Sequence, residues 1–437
     1  MLDTLICGAL IVNASGSIKA DVGLQNGKIV VMGLALSELA HETLDADGLV
    51  LMPGLIDPHV HLNEPGREHW EGLETGTRAL AAGGVTTFFD MPLNSTPVVT
   101  SVAAFRHKQA LVEQKSLVNG YQWGGLIPTN LGDLEGLHQA GVIGFKAFMS
   151  NSGIDEFPAA DDYTLFRGMQ IAAKLGSIVA VHAESDTLTG GLSQEAQSLG
   201  KTSISDYLAS RPALAEQEAI SRAILLAKET NCALYVVHTS TAEGASLIHA
   251  ARLQGVNVTC ETCPHYLVLT DADVERLGAV AKCAPPLRSH SQQEALWQAL
   301  LGGKVQTIAS DHSPSSPDLK NDPNFFKVWG GISGCQSTLQ LLLTFGHFQR
   351  GLSLERMVEM TSTNTAKRFG LADKGRIEVG ANADMVLVDL HAESVLKAED
   401  LYYRHKQSPY VGMNLRGKVM RTIVAGKTVY HEGNFYG

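Results

Sequence analysis

Pro53-Gly54-Leu55-Ile56-Asp57-Pro58-His59-Val60-His61 is the stretch on which the fold turns. Side chains alternate faces along an extended strand, so His59 and His61 point to the same side and both imidazoles can reach one metal ion. A His-x-His pair by itself is a moderate signal, because many such pairs sit at surfaces and bind nothing. Its weight comes from the rest of the chain.

Downstream, apolar β-type runs alternate with helical stretches, the pattern of a parallel sheet with helical crossovers. Eight strands are predicted, at 54–61, 85–91, 120–127, 143–149, 178–182, 234–238, 257–262 and 305–311. Eight βα units in about 320 residues are what a TIM (β/α)8 barrel with insertions requires. A doubly wound open sheet is the alternative, but it gives no reason for reactive residues to end so many strands. Those residues are His59 and His61 on the first strand, Lys146 on the fourth, His182 on the fifth, His238 on the sixth and Asp311 on the eighth. In a barrel the C-terminal strand ends share one mouth, so the six become neighbours.

Four imidazoles and a carboxylate suit zinc or a similar divalent ion. A lone histidine after a buried run is more often a satisfied core residue than a ligand, but four of the sixteen histidines at strand ends are harder to dismiss. Lys146 sits oddly among cations. One reading pairs it with Asp311 or another carboxylate inside an apolar setting. The other has CO2 add to the neutral amine, giving an anionic carbamate suited to bridging two metals and to offsetting their charge.

On both sides of this region the texture changes to short strands. Residues 5–12, 22–25 and 28–32 flank an Asn26-Gly27 hairpin signal, and 376–380, 383–389 and 419–430 repeat the pattern with a turn at Gly426-Lys427. Neither end could bury a core alone, so 1–52 and 373–437 are predicted to form one small discontinuous β-sandwich domain beside a catalytic barrel at 53–372.

Composition narrows the function. The chain has 437 residues, is 44% hydrophobic and carries a net charge of −11, which argues against nucleic acid or an anionic membrane as partner and leaves a small molecule. Six sparse cysteines fit a reducing, cytoplasmic setting, and the apolar run 5–12 follows Asp3 and reads as a first strand instead of a signal peptide. Cys260-x-x-Cys263 has no second pair and ends a strand, so it reads as packing. Gly302-Gly303 and Gly330-Gly331 read as turns. His265 and His312, next to strand-end residues, point elsewhere by alternation.

At His59, His61, Lys146, His182, His238 and Asp311 the chain resembles the cyclic amidohydrolases of the amidohydrolase superfamily, which include dihydroorotases, hydantoinases or dihydropyrimidinases, and allantoinases. The resemblance runs over the whole chain. It implies that His59 and His61 hold one metal and His182 and His238 a second, that carboxylated Lys146 bridges both, and that Asp311 is ligand and proton shuttle. Within the superfamily, dihydroorotases place an arginine where Asn63 stands and a second histidine where Ser315 stands, to hold a substrate carboxylate; hydantoinases place a tyrosine where Asn151 stands. The runs at 63–72, 90–95, 260–266, 311–314 and 329–332 resemble the allantoinase branch.

That branch implies hydrolytic opening of allantoin to allantoate by a hydroxide bridging two divalent ions, zinc first, with cobalt or manganese as alternatives. It also implies a homotetramer. Arg67 and Asn94, which follow strands one and two, are candidate substrate contacts, with capping or surface pairing as the competing role. The rival readings are a hydantoinase or dihydropyrimidinase and a non-catalytic scaffold relative. The scaffold is disfavoured because all six ligand positions are present.

Overall fold

The computed structural model describes residues 1–436. It opens with β1 (Leu2–Asn13), β2 (Gly16–Gln25), β3 (Lys28–Gly33), β4 (Ala40–Asp45) and β5 (Val50–Pro53). Asn26 and Gly27 turn the β2–β3 hairpin with φ of 50° and 75°, the paired positive values that a type I′ turn needs.

One residue, Gly54, separates β5 from the barrel. The barrel strands are β6 (Leu55–Val60), β7 (Val85–Asp90), the interrupted pair β8 (Asn119–Gln122) and β9 (Gly124–Gly125), β10 (Phe145–Phe148), β11 (Ile178–His182), β12 (Ala233–Val236), β13 (Val258–Thr262) and β14 (Thr307–Ile308). Each pairs in parallel with the next in sequence. At the break between β8 and β9, the Trp123 indole donates to the Pro58 carbonyl at 2.9 Å, across the barrel interior. The last strand meets the first through a parallel bridge between Val60 and His312, with His61 N donating to His312 O at 2.8 Å. That closure rules out the open sheet. All residues of β6, β7, β11 and β13 are buried, as expected when crossover helices cover the outside and side chains fill the inside.

The helices follow local signals. The Asp161 side chain caps Asp162–Lys174 by accepting from Thr164 N at 2.7 Å, and Thr241 caps Ala242–Leu253 by accepting from Gly244 N at 3.1 Å.

The chain ends in β15 (Met385–Val395), β16 (Asn414–Val424), β17 (Lys427–His431) and β18 (Asn434–Phe435), which join β5, β1, β2, β3 and β4 in one nine-stranded sheet. An antiparallel bridge between Lys28 and Asn382 brings β3 back to the segment before β15, so the sheet folds round on itself. Alternation assigns its two faces. Leu51, Met385 and Leu387 enter a core shared with Ile6, Ile11, Val22 and Ile29, while Val50, Met52, Val386 and Val388 pack into the main core with the barrel.

Two local expectations fail here. The β16–β17 turn is Ala425-Gly426, one residue earlier than expected, and Lys427 already pairs with Val424. Residues 376–380 form no strand, because the Asn13 side chain takes both backbone groups of Ile377, accepting from N at 2.8 Å and donating to O at 2.9 Å.

Candidate metal centre

β6 carries His59 inside the strand and His61 just past its end, with Val60 turned the other way. Their rings lie 5.4 Å apart, and ligating atoms of His59, His61 and Asp311 fall within 4.8 Å of one another. Asp311 Oδ1 is 3.2 Å from His59 Nε2 and 3.6 Å from His61 Nε2. His182 ends β11, and its Nδ1 is 3.0 Å from Nε2 of His238. Two nitrogens about 2.0–2.1 Å from one ion are separated by about 2.9–3.4 Å, so this spacing suits a shared metal. The His238 ring is also 5.4 Å from that of His59, linking the two groups.

His238 and Asp311 do not lie on regular strand. Both have positive φ, 36° and 45°, an uncommon region for residues with a Cβ, which costs on the order of 1 kcal/mol or more. Turning the backbone there swings both side chains over the barrel mouth.

Lys146, the second residue of β10, is fully buried. Its Nζ makes no hydrogen bond and no ion pair among the described residues, and it lies 5.0 Å from the Phe148 ring. The pairing with Asp311 or another carboxylate is therefore not made. Burial pushes its pKa down to about 8, against the opposing pull of Asp311 and Glu261. Burial likewise lowers His61, His182 and His238, and the Lys146 charge adds to each shift. These three imidazoles are thus held neutral, the form that binds metal. Burial would raise Asp311, but the neighbouring His59, His61 and His238 hold it well below the usual carboxylate range.

The donor set therefore fits divalent ions: four clustered imidazoles, an ionised carboxylate, and a buried amine with no partner of its own. Further groups orient these donors. Glu261 Oε1 accepts from His59 Nδ1 at 3.0 Å and from His238 N at 2.9 Å; Glu184 Oε2 is 2.9 Å from His182 Nε2 and also binds Arg211; Asn94 Nδ2 is 3.3 Å from His61 Nδ1. Such partners fix ring orientation and tautomer. Asp57 Oδ1 accepts from His59 N and Ser310 N, and burial raises this acid to about 6. The Ser313 hydroxyl donates to Asp311 Oδ1 at 2.9 Å.

Glu261 and Glu184 escaped the sequence reading. The available signal was a carboxylate inside the apolar run of β13 and, for Glu184, its place two residues after His182.

Above the cluster is a cavity of about 310 Å³, whose walls include Asn94, Asn151, Arg211, Ser313 and Trp329. Arg67 is not among its lining residues. Its guanidinium is held instead by Glu156 at 3.1 Å and by the Trp70 ring, over which it stacks. Asn94 does line the cavity, yet its amide is engaged with His61. Asn63 is buried, with its amide donating to the Pro314 carbonyl at 3.2 Å. His312 accepts from Gly334 N at 3.2 Å, and His265 is fully buried without a partner at either nitrogen; neither joins the cluster. Cys260 and Cys263 are buried free thiols.

Residues 50–429 match the model of the Amidohydrolase family, and residues 1–50 match that of the urease alpha-subunit N-terminal domain. The chain is similar to an allantoinase of Deinococcus radiodurans, at 50% identity covering 100% of this chain and 97% of that one. It is also similar to an allantoinase of Rubrobacter xylanophilus, at 52% identity covering 99% and 95%. Among solved structures it resembles an L-hydantoinase (dihydropyrimidinase) from Arthrobacter aurescens, with a TM-score of 0.97 at 35% identity over 100% and 98% of the two chains. A dihydropyrimidinase from Brevibacillus agri gives a TM-score of 0.92 at 33% identity over 99% and 96%.

Proposed function

This chain belongs to the amidohydrolase family, and on that basis we infer that it is a metal-dependent hydrolase that opens the ring of allantoin to give allantoate. The observation that carries the substrate is the identity of 50 and 52% to two allantoinases over nearly the full length of all three chains. Asn63 agrees with it: buried and bonded to Pro314, it offers no cation for an acidic substrate.

The reaction adds water across a ring amide. Oxygen bonds to the carbonyl carbon, the carbon–nitrogen bond breaks, and the nitrogen leaves with a proton. We assign His59, His61, His182, His238, Asp311 and carboxylated Lys146 as the groups that hold two divalent ions, zinc first and cobalt or manganese as substitutes. Such ions, when bound, supply the Lewis acidity that makes water a nucleophile at neutral pH and polarises the carbonyl.

Asp311 then takes the proton of the attacking water and passes it to the leaving nitrogen. Its low pKa keeps it ionised and able to accept, and the Ser313 hydroxyl fixes the orientation of its carboxylate. Glu261, Glu184 and Asn94 hold three of the imidazoles from behind. For Lys146, the supporting observations are an unpartnered buried amine and a pKa near 8, which leaves a reactive neutral fraction at pH 7. The amine bonds to the carbon of CO2, loses a proton and becomes an anion, so that two dications no longer face a single carboxylate. Asn94 remains a substrate contact in this assignment only through its exposure to the cavity, and Arg67 only if the loop carrying it turns inward.

We further assign 1–52 with 373–437 to a small β-domain and 53–372 to the catalytic domain, in keeping with a core drawn from the two end segments alone, which includes Ile6, Val22, Leu51, Met385 and Ile423. A cytoplasmic homotetramer completes the proposal, supported by six unpaired cysteines and the family resemblance. No helix among the described residues is long and apolar enough to cross a membrane.

The test is turnover of the zinc-loaded protein on allantoin, hydantoin, dihydrouracil and dihydroorotate side by side. Allantoin should lead in kcat/KM by at least about tenfold, a difference of about 1.4 kcal/mol in transition-state binding. Faster turnover of hydantoin or dihydrouracil would move the chain to the hydantoinase branch.

A further inference from the structure

The cavity has a floor of ligand residues and a roof of a different kind. Residues 325–331 belong to no helix or strand, yet Phe326 to Gly331 all line the cavity. An aperiodic segment leaves its carbonyls without partners in regular structure, and buried carbonyls need one.

Two lysines meet that need. Lys282 Nζ donates to the carbonyls of Phe325 at 2.6 Å and Phe326 at 3.4 Å, and also to that of Val328. Lys320 Nζ donates to Trp329 O at 2.9 Å, Gly331 O at 2.8 Å and Ala279 O at 3.3 Å. An ammonium has three donors, and each of these finds three acceptors. Neither lysine has a carboxylate within 4.0 Å among the described residues; Lys282 instead sits over the rings of Tyr207 at 4.3 Å and Phe325 at 5.1 Å. Lys282 is buried and Lys320 half-buried, and burial pulls both pKa values down to about 7; the three carbonyl acceptors around each Nζ favour the ammonium form, a role that an apolar side chain could not fill.

We propose that Lys282 and Lys320 are positioning residues for the ring-opening reaction: their ammonium groups gather the backbone carbonyls of 325–331 and so set the roof of the catalytic cavity. The roof is in close contact with the chemistry. A Cβ built on Gly331, at φ 137°, would stand 2.1 Å from the Ser313 carbonyl, and Ser313 is the residue whose hydroxyl holds Asp311. Trp329, edge-on to Trp70 at 4.9 Å, closes the same side. With the reacting carbonyl on the ligand floor, the remainder of the substrate must face this roof. Losing the clamp lets the roof drift and weakens substrate binding more than it alters the metal site.

This inference rests on the ring-opening activity proposed above. The experiment compares wild type with Lys282→Met, which is only one atom shorter, keeps most of the apolar stem and removes the donors. The expected result is a fall in kcat/KM on allantoin of about tenfold or more, mainly through KM, with the metal content of wild type, since misplacements of about 1 Å can cost 10²-fold. Lys282→Ala should recover part of that loss in added ethylammonium, which restores the charge but not the packing. Backbone amide exchange across 325–331 should accelerate in Lys282→Met. Kinetics within twofold of wild type, together with unchanged exchange, would overturn the proposal. If Lys282→Met does not fold, Lys320→Met, at a partly exposed position, gives the same readouts. If wild type itself fails to open allantoin, the functional reading falls, while the exchange comparison still decides the clamp.

Discussion

Replacing Glu261 by glutamine isolates what a carboxylate behind a metal ligand contributes. Glu261 is fully buried, and its Oε1 receives two donors, His59 Nδ1 at 3.0 Å and His238 N at 2.9 Å. Glutamine keeps the shape and can keep an acceptor in the same place, so no cavity is created; what disappears is the charge. A hydrogen bond to a charged group contributes about 1.5–3 kcal/mol and a neutral one about 0.5–1.5 kcal/mol. The bond from the His238 backbone is present with or without metal and cancels. The His59 bond does not cancel, because a cation on Nε2 makes the Nδ1 proton more acidic and the carboxylate a better partner for it. The difference is about 1–2 kcal/mol, or about 5- to 30-fold in metal affinity at 1.4 kcal/mol per decade, overlapping the lower part of the roughly 10- to 100-fold range typical of such partners. Zinc competition against a chromophoric chelator reads this directly, with circular dichroism to verify folding. A folded Glu261→Gln protein that binds zinc within twofold of wild type would refute the assignment of Glu261 as the group that orients His59.

Three other perturbations have definite outcomes. Asp311→Asn should fold yet lose about 10²–10⁴-fold in kcat, the usual scale for a general base; near-wild-type turnover removes its role in proton transfer. Loading of the metal-free protein should depend on the Lys146 amine: its pKa is near 8, deprotonation exposes the lone pair that attacks CO2, and so at fixed dissolved CO2 the loading rate should rise about tenfold per pH unit below 8 and level off above it. A flat profile between pH 6 and 9 contradicts carboxylation. Lys108→Met should cost about 3–5 kcal/mol in urea unfolding, because it strands Asp90, the buried partner 2.9 Å away whose other oxygen accepts from Leu62 N at 3.1 Å; a loss below 1 kcal/mol would show that Asp90 is not charged there.

The residues most legible in the sequence were those whose signal is local. His59 and His61 are read by period two, and His182 closes an unbroken apolar run. His238 and Asp311 could be read as candidate ligands although their strands stop early, at Val236 and Ile308, because the runs continue in sequence up to the residues at which positive φ turns the backbone. What stayed hidden depends on approach in three dimensions. Glu261 resembles any acid in a strand until His59 and His238 close on it. Arg67 follows the first strand closely enough to suggest the cavity, and only its contacts with Glu156 and Trp70 show otherwise. Residues 376–380 have the composition of a strand, but Asn13, more than 360 positions away, captures their backbone. The roof has no period at all, so nothing in its own sequence announces that Lys282 and Lys320 shape it.

The bonds that close the barrel are also the ones that aim the candidate ligands. Asp57 on β6 accepts from Ser310, the residue before Asp311, and from His59 N; His61 N donates to His312 O; Glu261 on β13 reaches both His59 and the backbone of His238. Closing the seam between the first and last strands therefore orients His59, His61 and Asp311 in the same step, and β13 ties them to His238. The strain at His238 and Asp311 is held by this ring of bonds. With the ligand set proposed above, metal binding stabilises the seam in return. Amide exchange at Val60, His61 and His312 should slow when zinc is added, while exchange in β2 and β3, whose core is separate, should stay unchanged. Equal slowing in both regions would mean that the metal tightens the whole chain and that closure and ligation are not one event.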